Sequence, residues 1–232
     1  MKRNVSLEEI SDGKLYEAND MVKADCHDCT GCSACCQGMG ESIILDPLDI
    51  CRLRSGLQKE FEEMLTDALA LGVVDGIILP HLQMQGSKEQ CFFLNKEGRC
   101  RIHAFLPGIC RLFPLGRYYE NHSFKYFLQT TECKSPNRTK IKVQKWLDTP
   151  DIKQYEKYIT DWHYFLLSAE ETIAFAFAQS TENDTSLADA IAKQISMYIL
   201  NTFYIKPFEE ETFYAQFTER LGEAECFLKS LI

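Results

Sequence analysis

Five cysteines fall within eleven residues of this chain, at Cys26, Cys29, Cys32, Cys35 and Cys36. The first four are spaced three residues apart, and Cys36 follows Cys35 directly. On an α-helix a step of three residues turns about 300°. Three such steps spread the four sulfurs over half the circumference, so one regular helix does not converge them. A loop wound around a central object does. Gly31 and Gly38 give such a loop the backbone freedom it needs and let N–H groups approach sulfur closely.

A second set lies downstream, at Cys91, Cys100, Cys110 and Cys133, each beside an expected turn or strand end. Gly98-Arg99 precedes Cys100, Pro107-Gly108 precedes Cys110, and Lys134-Ser135-Pro136 follows Cys133. Ligands delivered by separate turns can meet at one point without strain. Cys51 and Cys226 stand apart, and are expected to be small buried hydrophobes. Cys26, followed by His27, is read as a spare thiol beside the run, with ligation as the alternative.

Composition narrows what these thiols do. The formal net charge is −9, the wrong sign for binding driven by phosphate contacts or for docking on anionic lipid. No apolar run approaches the roughly 20 residues that span a bilayer. The start, Met1–Glu9, is basic at Lys2-Arg3 but acidic by Glu8-Glu9, and no apolar signal core follows, so no export signal is read. The expectation is a cytoplasmic protein with no nucleic acid and no membrane among its partners. Structural disulfides are rare in a reducing compartment, so eleven cysteines point to metal.

Thiolates are soft ligands that favour zinc and iron–sulfur clusters. The choice between them stays open on spacing alone. The run is similar to the C-x-x-C-x-x-C-x-x-x-C-P pattern of bacterial ferredoxins, but its fourth gap is short and no proline follows. Paired C-x-x-C knuckles equally fit zinc. The adjacent Cys35-Cys36 pair is poorly placed to aim both sulfurs at one ion, which favours a cluster or two centres. Four thiolates leave such a centre near −2. Arg99, Arg101, Arg111 and Arg117 either balance that charge or form an ordinary solvated face.

The fold class expected is α+β: an irregular Cys-rich metal-binding domain with short strands, packed against a C-terminal helical segment. Residues 1–25 read as a leader, 26–136 as the metal-binding domain and 137–232 as the helical segment. Asp46-Pro47 is a helix start, N-cap then N1. Phe61, Leu65 and Leu69 make one helical stripe, so the helical pattern is carried to Leu71. Ile77–Pro80 and Cys91–Leu94 are strand-like. Gly116–Gln129 reads as a hairpin turning at Asn121-His122. Residues 138–232 read as helices: Tyr155, Ile159, Trp162, Leu166, Ile173 and Phe177 share one spacing, Ser186–Asp189 looks like a capping box, and Phe213, Phe217 and Leu221 follow the acids Glu209–Glu211.

The run Cys29-Thr30-Gly31-Cys32-Ser33-Ala34-Cys35-Cys36 carries a CxxCxxCC signature. Cys91-Phe92-Phe93-Leu94, Cys100-Arg101-Ile102 and Cys110-Arg111-Leu112-Phe113-Pro114 complete it. Over roughly residues 26–134 the chain resembles the YkgJ-type cysteine-cluster family of zinc- or iron-chelating domains. The resemblance implies Cys29, Cys32, Cys35, Cys36, Cys91, Cys100, Cys110 and Cys133 as metal ligands. It implies an iron–sulfur cluster, of the 4Fe–4S type, or zinc as the cofactor. This chain departs from the family pattern at His103, where Tyr is usual, and at Leu106 before Pro107, where Arg is usual. His103 is read as a tolerated replacement, with ligation as the alternative.

The function expected is metal binding in a redox, sensing or cofactor-support role. One alternative is a structural zinc module that meets a protein partner. Another is a metal-dependent protein-modifying enzyme such as a lysine methyltransferase, because a related cysteine domain occurs in flagellin lysine methylases. No G-x-G-x-x-G, G-x-S-x-G, Walker or H-E-x-x-H motif is present, and no catalytic residue is assigned.

Overall fold

The computed structural model describes residues 6–26, 32–135, 137–181 and 184–231. In chain order the elements are α1 (Leu7–Ile10), β1 (Met21–Asp25), a 3-10 turn (Ala34–Cys36), α2 (Pro47–Leu57), α3 (Phe61–Met64), β2 (Leu69–Val74), β3 (Ile77–Leu82), β4 (Met84–Gln85) and β5 (Gln90–Cys91). After a 3-10 turn (His103–Phe105) come α4 (Gly108–Leu112), β6 (Leu115–Glu120), β7 (Ser123–Leu128), β8 (Thr139–Lys142), α5 (Val143–Leu147), α6 (Ile152–Gln179), α7 (Ser186–Leu200) and α8 (Phe213–Lys229). The class is α+β, as expected. The sheets are two-stranded pairs, β1–β8, β2–β3, β4–β5 and β6–β7.

The chain divides into two compact units, each made of two stretches. One comprises Lys2–Ile44 and Leu82–Thr160, the other Leu45–His81 and Asp161–Ile232. These boundaries differ from the division expected at residues 26 and 137. Within the expected leader, β1 pairs antiparallel with β8, Val22 opposite Ile141. The burial of β1 alternates, with Val22 and Ala24 inward, the period-2 pattern of a half-buried strand. That pairing also makes Thr139–Lys142 a strand where helix was expected. Residues 45–81 leave the cysteine-bearing unit altogether.

The cysteine-bearing unit is built on one apolar cluster. Val22 and Ala24 of β1 meet Leu115, Tyr126 and Leu128 of the β6–β7 hairpin and Val143 and Leu147 of α5. The hairpin turns where expected, with Asn121 and His122 both at positive φ, the conformation a two-residue primed turn demands. Gly116 faces Phe127 in the register. A Cβ on Gly116 would lie 2.3 Å from the Phe127 ring, so this position is kept to glycine by close approach.

The other unit is aromatic at its centre. Trp162 and Phe165 of α6 pack on Phe203, with ring centroids 5.0 and 5.6 Å apart, and Phe203 packs on Phe217 of α8. The α6 stripe is therefore core through Ile173, whereas Phe175 and Phe177 are exposed. Asp46 caps α2 in a full capping box with Asp49, and Pro47 stands at N1. Leu69–Val74 is a strand, contrary to the helical stripe drawn through Leu69. Asp75 and Gly76, both at positive φ, turn it back as a hairpin onto β3, and that turn chemistry overrides a weak four-residue repeat. The N-cap of α7 is Thr185, one residue before the expected Ser186. Asp184 accepts from the Ser186 N–H and hydroxyl instead.

Arg220 of α8 closes this unit's last connection. Its guanidinium donates to the carbonyls of Thr202, Lys206 and Pro207 at 2.6–2.9 Å. These carbonyls lie in and just beyond the π-helical turn Asn201–Ile205, where chain ends leave acceptors without helical partners.

Candidate metal centre

The thiols are brought in by backbone devices, beginning with the CxxCxxCC run. Ala34–Cys36 forms a single 3-10 turn, in which the Cys36 N–H bonds to Ser33 O at 3.0 Å. The chain then straightens, and Gln37 bridges antiparallel to Gln90. The Gly38 N–H bonds to Glu89 O at 3.0 Å, with Gly38 at φ 68. In an antiparallel ladder the residues flanking a bridged pair face each other. Cys36 therefore stands across from Cys91.

Cys91 ends β5, and a tight turn returns the chain to Cys100. Asn95 Oδ1 accepts from the N–H groups of Glu97 and Arg99 at 3.1 and 2.7 Å. Leu94 bridges to Cys100, and the Arg101 N–H bonds to Phe93 O at 2.8 Å. Cys110 lies on α4, which Pro107 begins. Cys36 feels the charge of Cys110 and Cys91, and Cys100 that of Cys91 and Cys35. Five sequence-predicted positions, Cys35, Cys36, Cys91, Cys100 and Cys110, are thus gathered in one neighbourhood.

Cys32 and Cys133 lie in a second neighbourhood. Both line a small cleft with Cys35 and with Cys26. Cys133 feels the charges of Cys26 and Cys32. Cys26 directly follows β1, and the adjacent Asp25 accepts from the Thr139 hydroxyl at 2.9 Å. The β1–β8 pairing therefore draws the segments bearing Cys26 and Cys133 together. Cys29 and His27 lie outside the described residues. Among the described residues, no group of three or more His, Cys, Asp or Glu side chains is placed so that it could hold a metal ion as it stands.

The local hydrogen bonding suits thiolates. The sulfur of Cys91 takes N–H groups from Phe93 and Leu94, that of Cys100 from Ile102, and that of Cys133 from Ser135. At all three the donor includes the residue two positions on. An N–H aimed at sulfur favours the charged form. Burial works against it and pushes the Cys91, Cys100 and Cys133 thiols up. The Cys36 S–H donates to the Cys35 sulfur, which holds Cys35 down to about 7 and pushes Cys36 well above the ordinary thiol range. Two touching sulfurs do not both ionise unless a cation compensates them. Soft donors, partly buried and supplied with N–H groups, fit zinc or iron.

The nearby cations sort themselves. Arg101 favours the thiolates of Cys91 and Cys100, donates to Phe92 O at 2.6 Å and covers the Phe92 ring at 4.9 Å. Arg111 reaches the carbonyls of Leu147 and Asp148, and Arg117 reaches the Tyr155 hydroxyl at 3.0 Å. Sequence reasoning missed Arg138. It favours the Cys133 thiolate, and its Nη1 is buried without a hydrogen-bond partner among the described residues. The clue was its place immediately before a strand whose pairing was not foreseen.

The outlying candidates separate cleanly. His103 is exposed. Cys51 is buried, bonds to Phe208 O at 3.7 Å and is pushed up to about 11 by burial, so it is the inert hydrophobe expected. Cys226 is exposed rather than buried, because it falls on the outward side of α8.

Among the described residues, no helix is long and apolar enough to cross a membrane. Neither the search of curated proteins nor the search of solved structures gave a match. Residues 28–134 match the model of the CxxCxxCC family, described as "Putative zinc- or iron-chelating domain".

Proposed function

We propose that this chain is an iron- or zinc-binding protein in which Cys29, Cys32, Cys35, Cys36, Cys91, Cys100, Cys110 and Cys133 supply the ligands. The observation that carries this reading is the Gln37–Gln90 bridge. It sets a thiol of the N-terminal run across from a thiol more than fifty residues later. Packing alone does not call for such an encounter, because it crowds groups that repel when ionised.

An iron–sulfur cluster of the 4Fe–4S type, in a redox, sensing or cofactor-support role, is the reading favoured. The chain offers more thiols than the four that a tetrahedral ion takes. When bound, such a cluster would supply a site for one-electron exchange. The protein's own groups set its surroundings. Arg101 offsets thiolate charge, and the N–H groups of Phe93, Ile102 and Ser135 stabilise sulfur and orient it. Metal binding has to draw the sulfurs closer, which couples it to folding. The test is anaerobic purification followed by metal analysis and visible spectroscopy. Iron, inorganic sulfide and broad sulfur-to-iron charge-transfer absorption are expected. Protein that holds neither iron nor zinc, before and after reconstitution, overturns the proposal.

A structural zinc module is the second reading, favoured by the small cleft at Cys26, Cys32 and Cys133. Stoichiometric zinc and no iron regained on reconstitution would establish it. A protein-modifying enzyme has no independent support among these residues.

A further inference from the structure

Cys26 lies outside the stretch matched by the family, which begins at residue 28, yet it opens onto the same cleft as Cys32, Cys35 and Cys133. We propose that the thiols form two adjoining metal sites, with Cys26 as a ligand of the second together with Cys32 and Cys133. This rests on the metal-binding reading above and divides those of its ligands that lie among the described residues. The first site belongs to Cys36, Cys91, Cys100 and Cys110. Cys35 touches Cys36 on one side and lines the cleft on the other, so it stands where the two sites adjoin.

Three features support the division. The first is connectivity. Cys36, Cys91 and Cys100 are tied by the Gln37–Gln90 and Leu94–Cys100 bridges, whereas the segments carrying Cys26 and Cys133 are tied by β1 and β8. Cys36, Cys91 and Cys100 are thus delivered by different strand pairs from Cys26 and Cys133. The second is room. The cleft holds about 20 Å³, close to the space one water-sized sphere needs. That suits a single ion with thiolate ligands and not a second cluster. The third is charge. Arg138, with a buried Nη1 that has no hydrogen-bond partner among the described residues, flanks Cys133. A guanidinium held there offsets the excess negative charge of a thiolate-bound divalent ion. Cys26 itself is only 7 % exposed. A buried thiol that forms a metal–thiolate bond gives up its proton to solvent, and the ion replaces that proton's charge.

Cobalt(II) serves as the probe because cobalt–thiolate bonds give a charge-transfer absorption that reports sulfur ligation directly. The full-length chain, stripped of metal anaerobically, is titrated with Co²⁺ and the bound ions are counted by native mass spectrometry. Two equivalents are expected for the wild type. One is expected for Cys26→Ser and for Cys133→Ser, with the cobalt–thiolate absorption of the first site kept. Cys36→Ser is expected to retain one equivalent as well, held at the Cys26 site. A wild type that binds a single equivalent overturns the two-site inference and leaves the metal-binding reading standing. So does Cys26→Ser that binds as many ions as the wild type. A wild type that binds none overturns both. The count on the wild type needs no variant, so a misfolded substitution does not blunt the test.

Discussion

Gln37 and Gln90 are antiparallel bridge partners, and this single pairing sets Cys36 against Cys91. If one metal centre uses both, removing either thiol removes the centre. Cys36→Ser and Cys91→Ser are each expected to lose the metal at the first site, and the double variant is expected to lose no more. Structural zinc contributes on the order of 10–16 kcal/mol in small domains, so each variant should also melt well below the wild type. Chelation should lower the melting temperature of the wild type more than that of the variants. Metal analysis and thermal melts with and without chelator check this; additive losses would argue against a shared centre.

Glu156 gives a pH signature in the same unit. The Tyr126 hydroxyl donates to its Oε1 at 3.0 Å, but burial dominates and holds the carboxyl above its ordinary range. A carboxyl whose folded pKa is raised contributes stability at low pH and loses it as pH rises through the folded value. The window therefore opens near the ordinary glutamate pKa of about 4.3 and extends upward. Glu156→Gln, which stays neutral, should gain stability relative to the wild type as pH climbs through that window. Paired melts across acid to neutral pH read the difference, and a difference that is flat or falls with pH would contradict the assignment.

Gly116→Ala should be destabilising by about 1–3 kcal/mol, the usual cost of overpacking, because its Cβ would meet the Phe127 ring. In a Phe127→Ala background the same change should cost nothing, or stabilise by about 0.4–1 kcal/mol through the unfolded chain. A double-mutant cycle by denaturant melts measures the coupling.

Arg220→Met should cost about 2–4 kcal/mol, since it removes the donor to three carbonyls, and one or two of these left buried and unsatisfied cost roughly 1–3 kcal/mol each. That corresponds to about 5–15 °C in melting temperature for a chain of this size. Arg220→Lys should recover only part of it, because one ammonium cannot reproduce the planar fork or the stacking on Phe208, 3.8 Å from the ring centroid. Calorimetry on the three proteins decides this, and equal stability of Lys and Arg would refute the fork.

What the sequence shows plainly is local chemistry. Asp46-Pro47 caps a helix and Asn121-His122 turns a hairpin because those residues fix their own backbone. The cysteine motifs belong to the same class of signal. What it conceals is non-local pairing. Neither Met21–Asp25 nor Thr139–Lys142 is persuasive alone, since a short strand gains its meaning from a partner more than a hundred residues away. The role of Arg138 and the nearness of Cys26 to Cys133 are hidden for the same reason. Leu69–Val74 misleads in the opposite way: a helical repeat runs into a strand whose fate is settled by the Asp75-Gly76 turn after it.

The cysteine-bearing unit is assembled from two stretches, with Leu45–His81 lying between them in sequence. During synthesis the early thiols must wait for their counterparts. At about 5–20 residues per second, the roughly one hundred residues from Cys32 to Cys133 take on the order of 5–20 s to emerge. Throughout that interval the N-terminal sulfurs are nascent, unsheltered and open to oxidants or stray ions, so loading with the proper inorganic partner is a late event in the life of the newly made polypeptide.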